Sequence, residues 1–161
     1  VLDADALNLL SGRVAVPADN HVLTPHPGEA ARLLNCLVPE VEADRMAAAR
    51  KLQALYGGTI LLKGAGTVVA SEGGALDIVS GSNPGMATGG MGDVLSGIIG
   101  AVLGQIGDGQ KAAVLGASAH LAAADRASQT HGYMGLIPND VIDALPLVFR
   151  ESETHPGARD L

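Results

Sequence analysis

Aromatic side chains are scarce in this sequence of 161 residues: Tyr56, Tyr133 and Phe149 are the whole set, with no tryptophan. The apolar share is nevertheless 47%, enough for a real core, and that core is expected to be aliphatic. Basic clusters are missing as well. Ten lysines and arginines against seventeen aspartates and glutamates give a net charge of −7, which argues against a nucleic-acid partner. The lone cysteine, Cys36, excludes an internal disulfide, and no signal-peptide pattern is present, so a reducing, cytoplasmic setting is expected. Cys36 itself reads as an inert small hydrophobe. No apolar run suits a bilayer; the best, around residues 94–103, is short and broken by glycine, so no membrane partner is expected. His21, His120, His131 and His155 have no partner at metal-ligand spacing, and no metal ligands are assigned. Repeats, low-complexity tracts and coiled-coil heptads are absent too.

What is abundant is glycine. The 22 glycines amount to about twice the usual share and point to tight turns and close backbone approaches. The length favours one domain. Val1-Leu2-Asp3 reads as the end of a buried strand. A chain that opens in mid-strand is expected to be the C-terminal part of a larger domain, with its site only half present. The pattern then predicts a helix over 4–10, a strand over 22–24 and a helix over 27–34 with Pro27 near its first position. One helix is predicted over 41–56, stopped by Gly57-Gly58. Strands follow over 59–63, 67–70 and 76–80, the last two joined by a Gly73-Gly74 turn. Helices over 92–104, 110–130 and 139–149 complete a domain of residues 1–150, and 151–161 form a polar tail. Alternating strands and helices predict a layered α/β fold with ligands outside the strand C-termini, and the hairpin adds antiparallel character.

Three motifs carry the chemistry. In the first, Asn83-Pro84-Gly85-Met86-Ala87-Thr88-Gly89-Gly90-Met91-Gly92-Asp93 enters an apolar helix. A glycine-rich loop at a helix N-terminus exposes unpaired N–H groups that suit a phosphate or a developing anion. Gly92 is followed by Asp93 and not by Lys-Ser/Thr, so this is no P-loop. Asp93 either complements the helix dipole or accepts the proton of a hydroxyl that attacks a phosphoryl group. In the second, Lys63-Gly64-Ala65-Gly66-Thr67 is either an ordinary hairpin loop with a solvated lysine or a surface against which a nucleotide lies. In the third, Thr24-Pro25-His26-Pro27-Gly28-Glu29 is either a rigid strand-to-helix turn or a mount for His26.

In this order, and together with Val1-Leu2-Asp3-Ala4-Asp5-Ala6-Leu7-Asn8, these segments resemble the ADP/ATP-dependent NAD(P)H-hydrate dehydratases of the ribokinase-like superfamily. The likeness runs to about Phe149, and the Gly89–Gly97 segment is most like bacterial members. It implies a three-layer α/β/α sandwich with a mostly parallel sheet and a hairpin, here as a partial domain. It also implies repair of hydrated NADH or NADPH: the ring hydroxyl of the S epimer is phosphorylated with ADP or ATP, and phosphate then leaves. Carried over, Asp93 is the base. The backbone of Gly90, Met91 and Gly92 forms the anion hole. His26 and Asp93, with Asp3 and Asn8, meet the hydrated dinucleotide. Lys63, Gly64, Ala65, Gly66, Thr67 and Gly92 bind the adenosine nucleotide. Mg²⁺, a homotetramer and a fused epimerase domain are further implications, and the alanine-rich segment 112–127 serves either as the interface or as ordinary helix packing. Two other readings stand beside this one: a small-molecule kinase of the superfamily (hydroxymethylpyrimidine, pyridoxal or hydroxyethylthiazole type), and a nucleotide-binding fragment without turnover.

Overall fold

The run Thr59–Leu62 (β2) has no polar face to turn to water, and the strand is buried on both sides. Such a strand has to lie inside a sheet covered by helices. In the computed structural model, which describes residues 1–154, it does. β2 pairs in parallel with Val22–Leu23 (β1) and antiparallel with Thr67–Ala70 (β3). β3 pairs antiparallel with Leu76–Val79 (β4), and Leu2 adds a parallel bridge to Leu23 at the far edge. The sheet is therefore mixed, which corrects the expected mostly parallel arrangement. Connections 63–66 and 71–75 are too short for a parallel crossover, so β2, β3 and β4 fold back as hairpins.

Helices cover both faces. Asp5–Leu10 (α1), Pro27–Leu34 (α2), Val38–Ala43 (α3) and Arg45–Tyr56 (α4) bring Leu7, Leu33, Val41 and Leu52 onto Leu23, Ile60 and Leu62. Cys36 packs, partly buried, against this cluster. The opposite face, with Val22, Leu61 and Val69, receives Leu95 and Ile99 of Met91–Ile106 (α5) and Ala112, Ala113 and Ala117 of Gly109–His131 (α6). Pro138–Thr154 (α7) closes a further cluster with α5 and α6 through Val141 and Ala144. Seven alanines of the 112–127 segment are buried within the chain, so ordinary helix packing accounts for them.

Two boundaries differ from the sequence pattern. The helix predicted over 41–56 is broken at Asp44, whose φ of −148° leaves the helix while its carboxylate accepts the Ala47 N–H at 2.9 Å. Aspartate competes with a continuous helix by capping a new one. α7 continues past 149 to Thr154, and the rest of the expected polar tail, 155–161, lies outside the described residues.

The contact between α5 and α6 depends on Gly116. A Cβ there would lie 2.6 Å from Ile99 Cγ1 and 3.3 Å from the Ile99 backbone. Gly104, in the last turn of α5, has nothing within 4 Å of its Cβ position. Gly116→Ala is therefore expected to destabilise by about 1–3 kcal/mol despite its better helix propensity, whereas Gly104→Ala gains ~0.5 kcal/mol. Urea melts of the two variants check both signs.

Candidate active site

Because β1 and β2 run in parallel, the residues that follow them emerge at one edge of the sheet. Thr24 N–H donates to the Leu2 carbonyl at 3.1 Å, and Lys63 N–H donates to the Pro25 carbonyl at 2.8 Å. This places Asp3, His26 and Lys63 side by side. Lys63 Nζ lies 2.8 Å from Asp3 Oδ1 and 3.8 Å from Glu29 Oε2, with all three side chains largely buried. Ser96 of α5 donates to Asp3 Oδ2 at 3.1 Å. Burial works against the Asp3 charge, but the hydrogen bond and charge of Lys63, helped by Thr24 and the Ala4 backbone, outweigh it. The carboxyl is held below its ordinary 3.8.

His26 caps α2. Its Nδ1 accepts the N–H groups of Gly28 at 3.0 Å and Glu29 at 3.4 Å, while Glu29 Oε2 accepts the His26 N–H at 2.8 Å. Two bonds accepted at Nδ1 leave the ring proton on Nε2, which faces Glu29 Oε1 at 3.5 Å. The strand-to-helix turn and the histidine mount are thus one structure, with half of the imidazole open to solvent.

The glycine loop enters α5 through Gly90, which adopts φ 90° and whose Cβ position would lie 2.9 Å from Pro138 Cγ. Only a residue without a side chain fits that left-handed position against α7. The first helical bond runs from Val94 N–H to the Gly90 carbonyl, and no side chain caps the helix. The N–H groups of Met91, Gly92 and Asp93 are therefore free among the described residues. Gly92 is packed close: a Cβ would lie 3.3 Å from Asp3 Oδ2 and 3.6 Å from Lys63 Nζ.

Two concavities flank this first turn of α5. A cavity of about 390 Å³ is lined by Lys63, Gly64, Ala65, Thr67, Met91 and Gly92, with a far wall from α6. A larger cleft of about 1020 Å³ runs between α5, α6 and α7 and is lined by Asp93 together with apolar side chains such as Ile98 and Leu145. Adjacent residues of one helical turn thus face different spaces, Gly92 the smaller and Asp93 the larger.

Of the residues singled out in the sequence, Asp3, Lys63, Gly92 and Asp93 come together around the α5 N-terminus. His26 joins them through Glu29. Gly66 shapes the hairpin loop without lining the cavity, and Gly90 seats the helix. Asn8 is exposed on α1, and its side chain makes no hydrogen bond among the described residues, so it stands apart. Lys63 is not a solvated loop lysine.

Several supporting residues gave no such signal. Arg45, the first residue of α4, donates to the carbonyls of Ala65 at 2.7 Å, Gly66 at 2.9 Å and Leu62 at 3.1 Å and so fixes the shape of the hairpin loop. Its planar fork suits three diverging carbonyls in a way that a lysine could not. Asn83 anchors the start of the glycine loop to α6. It donates to Asp125 at 2.8 Å and to Ser128 at 3.0 Å, and it accepts the Gly85 N–H at 2.9 Å. Asn83 was visible as the first residue of the loop motif; Arg45 had only its place in a helix. His120 lies on the wall of the smaller cavity and is 5% exposed. Desolvation pushes its imidazole down to about 4, so it is neutral near pH 7.

A family model described as NAD(P)H-hydrate dehydratase matches residues 1–147. The chain is 52% identical over 155 residues to a bifunctional NAD(P)H-hydrate repair enzyme of Escherichia coli, covering 94% of this chain and 29% of that protein. It is 47% identical over 150 residues to an ADP-dependent (S)-NAD(P)H-hydrate dehydratase of Neisseria meningitidis, covering 89% of this chain and 51% of the relative. Among solved structures, the ADP/ATP-dependent NAD(P)H-hydrate dehydratase of Bacillus subtilis, co-crystallised with ATP/Mg²⁺, superposes with a TM-score of 0.85 at 32% identity. That match covers 93% of this chain and 53% of the other. The chain thus spans about half the length of the single-function relative and under a third of the bifunctional one.

The Lys63–Asp3 pair has a measurable signature. Lys63→Met leaves Asp3 partly buried without its cation, so the Asp3 carboxyl should titrate above 3.8 instead of below it, as read by carboxyl-carbon NMR. The pair lies between a surface and a buried ion pair, and the expected loss of stability is about 1–3 kcal/mol. His120 predicts a pH dependence of the same sign in a higher pH window, with desolvation as its cause. Unfolded, it takes up a proton near 6.5; folded, only near 4. Unfolding therefore binds a proton between those values, so the His120 contribution is intact above pH 6.5 and stability falls as the pH drops toward 4. His120→Leu should remove up to about one proton from that slope in urea melts run across the range.

Proposed function

As the chain belongs to the NAD(P)H-hydrate dehydratase family, we propose that it supplies the phosphoryl-transfer centre for nucleotide-dependent dehydration of the S epimer of hydrated NADH or NADPH. The observation that carries this reading is that neighbouring residues of one helical turn line different spaces, Gly92 the smaller cavity and Asp93 the larger cleft. A nucleotide in the smaller cavity rests its phosphates near Lys63 and the free N–H groups of Met91 and Gly92. The hydroxyl of the hydrated ring approaches from the larger cleft, within reach of the Asp93 carboxylate.

Asp93 takes the hydroxyl proton as that oxygen attacks the terminal phosphorus of the nucleotide. Charge that builds on the transferring group is met by N–H groups already oriented along the helix axis, which need no rearrangement at that moment. With ADP as donor, AMP is released. Phosphate then leaves with the C–O bonding pair and the neighbouring ring carbon gives up a proton to form the double bond, so that the hydrate and ADP become NADH, AMP, phosphate and a proton. Lys63 holds its charge at the phosphate end because Asp3 and Glu29 fix the ammonium in place. His26, with Nε2 half open, is placed for the dinucleotide beside that cluster.

Among the described residues no group of three His, Cys, Asp or Glu side chains is placed to hold a metal ion. In this reading Mg²⁺ arrives on the phosphates of the nucleotide as part of the substrate, the usual way for an ion that needs only one or two protein carboxylates beside phosphate oxygens. A homotetrameric assembly, a cytoplasmic setting and an epimerase domain on the same polypeptide belong to the same proposal. Among the described residues no helix is long and apolar enough to cross a membrane.

The test follows the return of NADH absorbance from hydrated NADH with ADP and Mg²⁺. It uses the chain alone and also residues 1–150 grafted in place of the matching segment of the Neisseria meningitidis relative. In the graft, recovery should require ADP and fall by about 10²–10⁴-fold in Asp93→Asn, with ADP binding retained. A persistent phosphorylated product, or recovery indifferent to Asp93, would overturn the reading.

A further inference from the structure

His120 Nε2 is buried without a hydrogen-bond partner, in an imidazole that lines the wall of the smaller cavity. A buried polar atom left without a partner destabilises a fold, so a chain that keeps one calls for a reason. The same cavity is lined by the apolar side chains of Met86, Leu95, Ala117 and Leu121, with the polar Asn83 and Thr88 among its other residues. The cationic and amide-rich part of the cavity, Lys63 and Gly92, belongs to other elements.

This division sorts the ligand's parts. An anion seeks Lys63 and the free N–H groups of α5. A neutral imidazole offers one donor and one acceptor but no charge, and so makes a poor seat for phosphate. Apolar side chains with a few polar groups among them suit a flat heterocycle, which buries its faces and presents nitrogen atoms at its rim.

We infer that His120 is a specificity-determining residue that reads the edge of the nucleotide base in the smaller cavity. The inference rests on the nucleotide reading above and adds to it the residue that distinguishes one base from another.

The experiment measures calorimetric affinities of the chain for ADP, UDP and pyrophosphate, with His120→Leu, His120→Gln and Lys63→Met as variants. In His120→Leu the ADP affinity should fall about tenfold, while UDP and pyrophosphate change less than about twofold. His120→Gln, which keeps a donor and an acceptor, should recover part of the loss. At pH 7.5 the melting temperature of His120→Leu should hold or rise, because the orphaned atom is gone; a purely structural histidine would lower it. Lys63→Met should weaken ADP and pyrophosphate alike. If His120→Leu leaves the ratio of ADP to UDP affinity unchanged while Lys63→Met weakens both phosphates, base reading by His120 is wrong and the nucleotide site stands. If the unaltered chain binds none of the three, both readings fail.

Discussion

The Lys63 ammonium, set between Asp3 and Glu29, is the contact on which the rest of the site depends. Asp3 follows the edge bridge of the sheet, Lys63 follows β2, Glu29 belongs to α2, and Ser96 brings α5 to the Asp3 carboxylate. One cation therefore joins strand ends to two helices. Two carboxylates this well buried would repel each other without it, and the helices that carry them would lose their fixed spacing. The geometry follows from the parallel pairing of β1 and β2, which aligns the strand ends, and from hairpins short enough to keep Lys63 at that edge.

Around this centre the fold separates two tasks. Arg45 and the hairpin shape a small cavity with a cationic end, while α5, α6 and α7 frame a larger apolar cleft. The N-terminus of α5 forms the partition. Its free N–H groups would be a liability in a buried helix end, and they persist here because the glycine loop leaves them open to the cavity. Supporting hydrogen bonds are spent on the loops that approach this partition: Arg45 on one, Asn83 on the other.

Much of this was legible in the chain itself, and the reason is locality. β2 announces itself by a short apolar run after Gly57-Gly58, α2 by Pro27 near its first position, and the anion-binding turn by glycines before an apolar helix. Local signals could not reveal the partner of Lys63, because Asp3 is sixty positions away and reads as a strand residue. Arg45 was hidden in a helix predicted to be continuous; only the break at Asp44 frees its guanidinium to turn toward the hairpin. His120 carried no signal, having no partner at metal-ligand spacing, and its place on the cavity wall depends on residues far from it in sequence. The excess of parallel pairing expected from the superfamily likeness gave way to chain length: between β2, β3 and β4 there are too few residues to cross over.

The seat of Gly90 against Pro138 has a consequence for how this sequence can vary. The loop that leads from α6 into α7 is bounded at its far end by a proline whose ring touches the backbone of the anion-binding turn. Surface connections commonly absorb insertions at little cost, but this one does not have that freedom. One added residue before Pro138 would displace the ring and unseat Gly90. Drift in length at residues 132–137 should therefore be suppressed even though most of those side chains are exposed, and the segment behaves as a gauge that keeps α7 in register with the turn it supports.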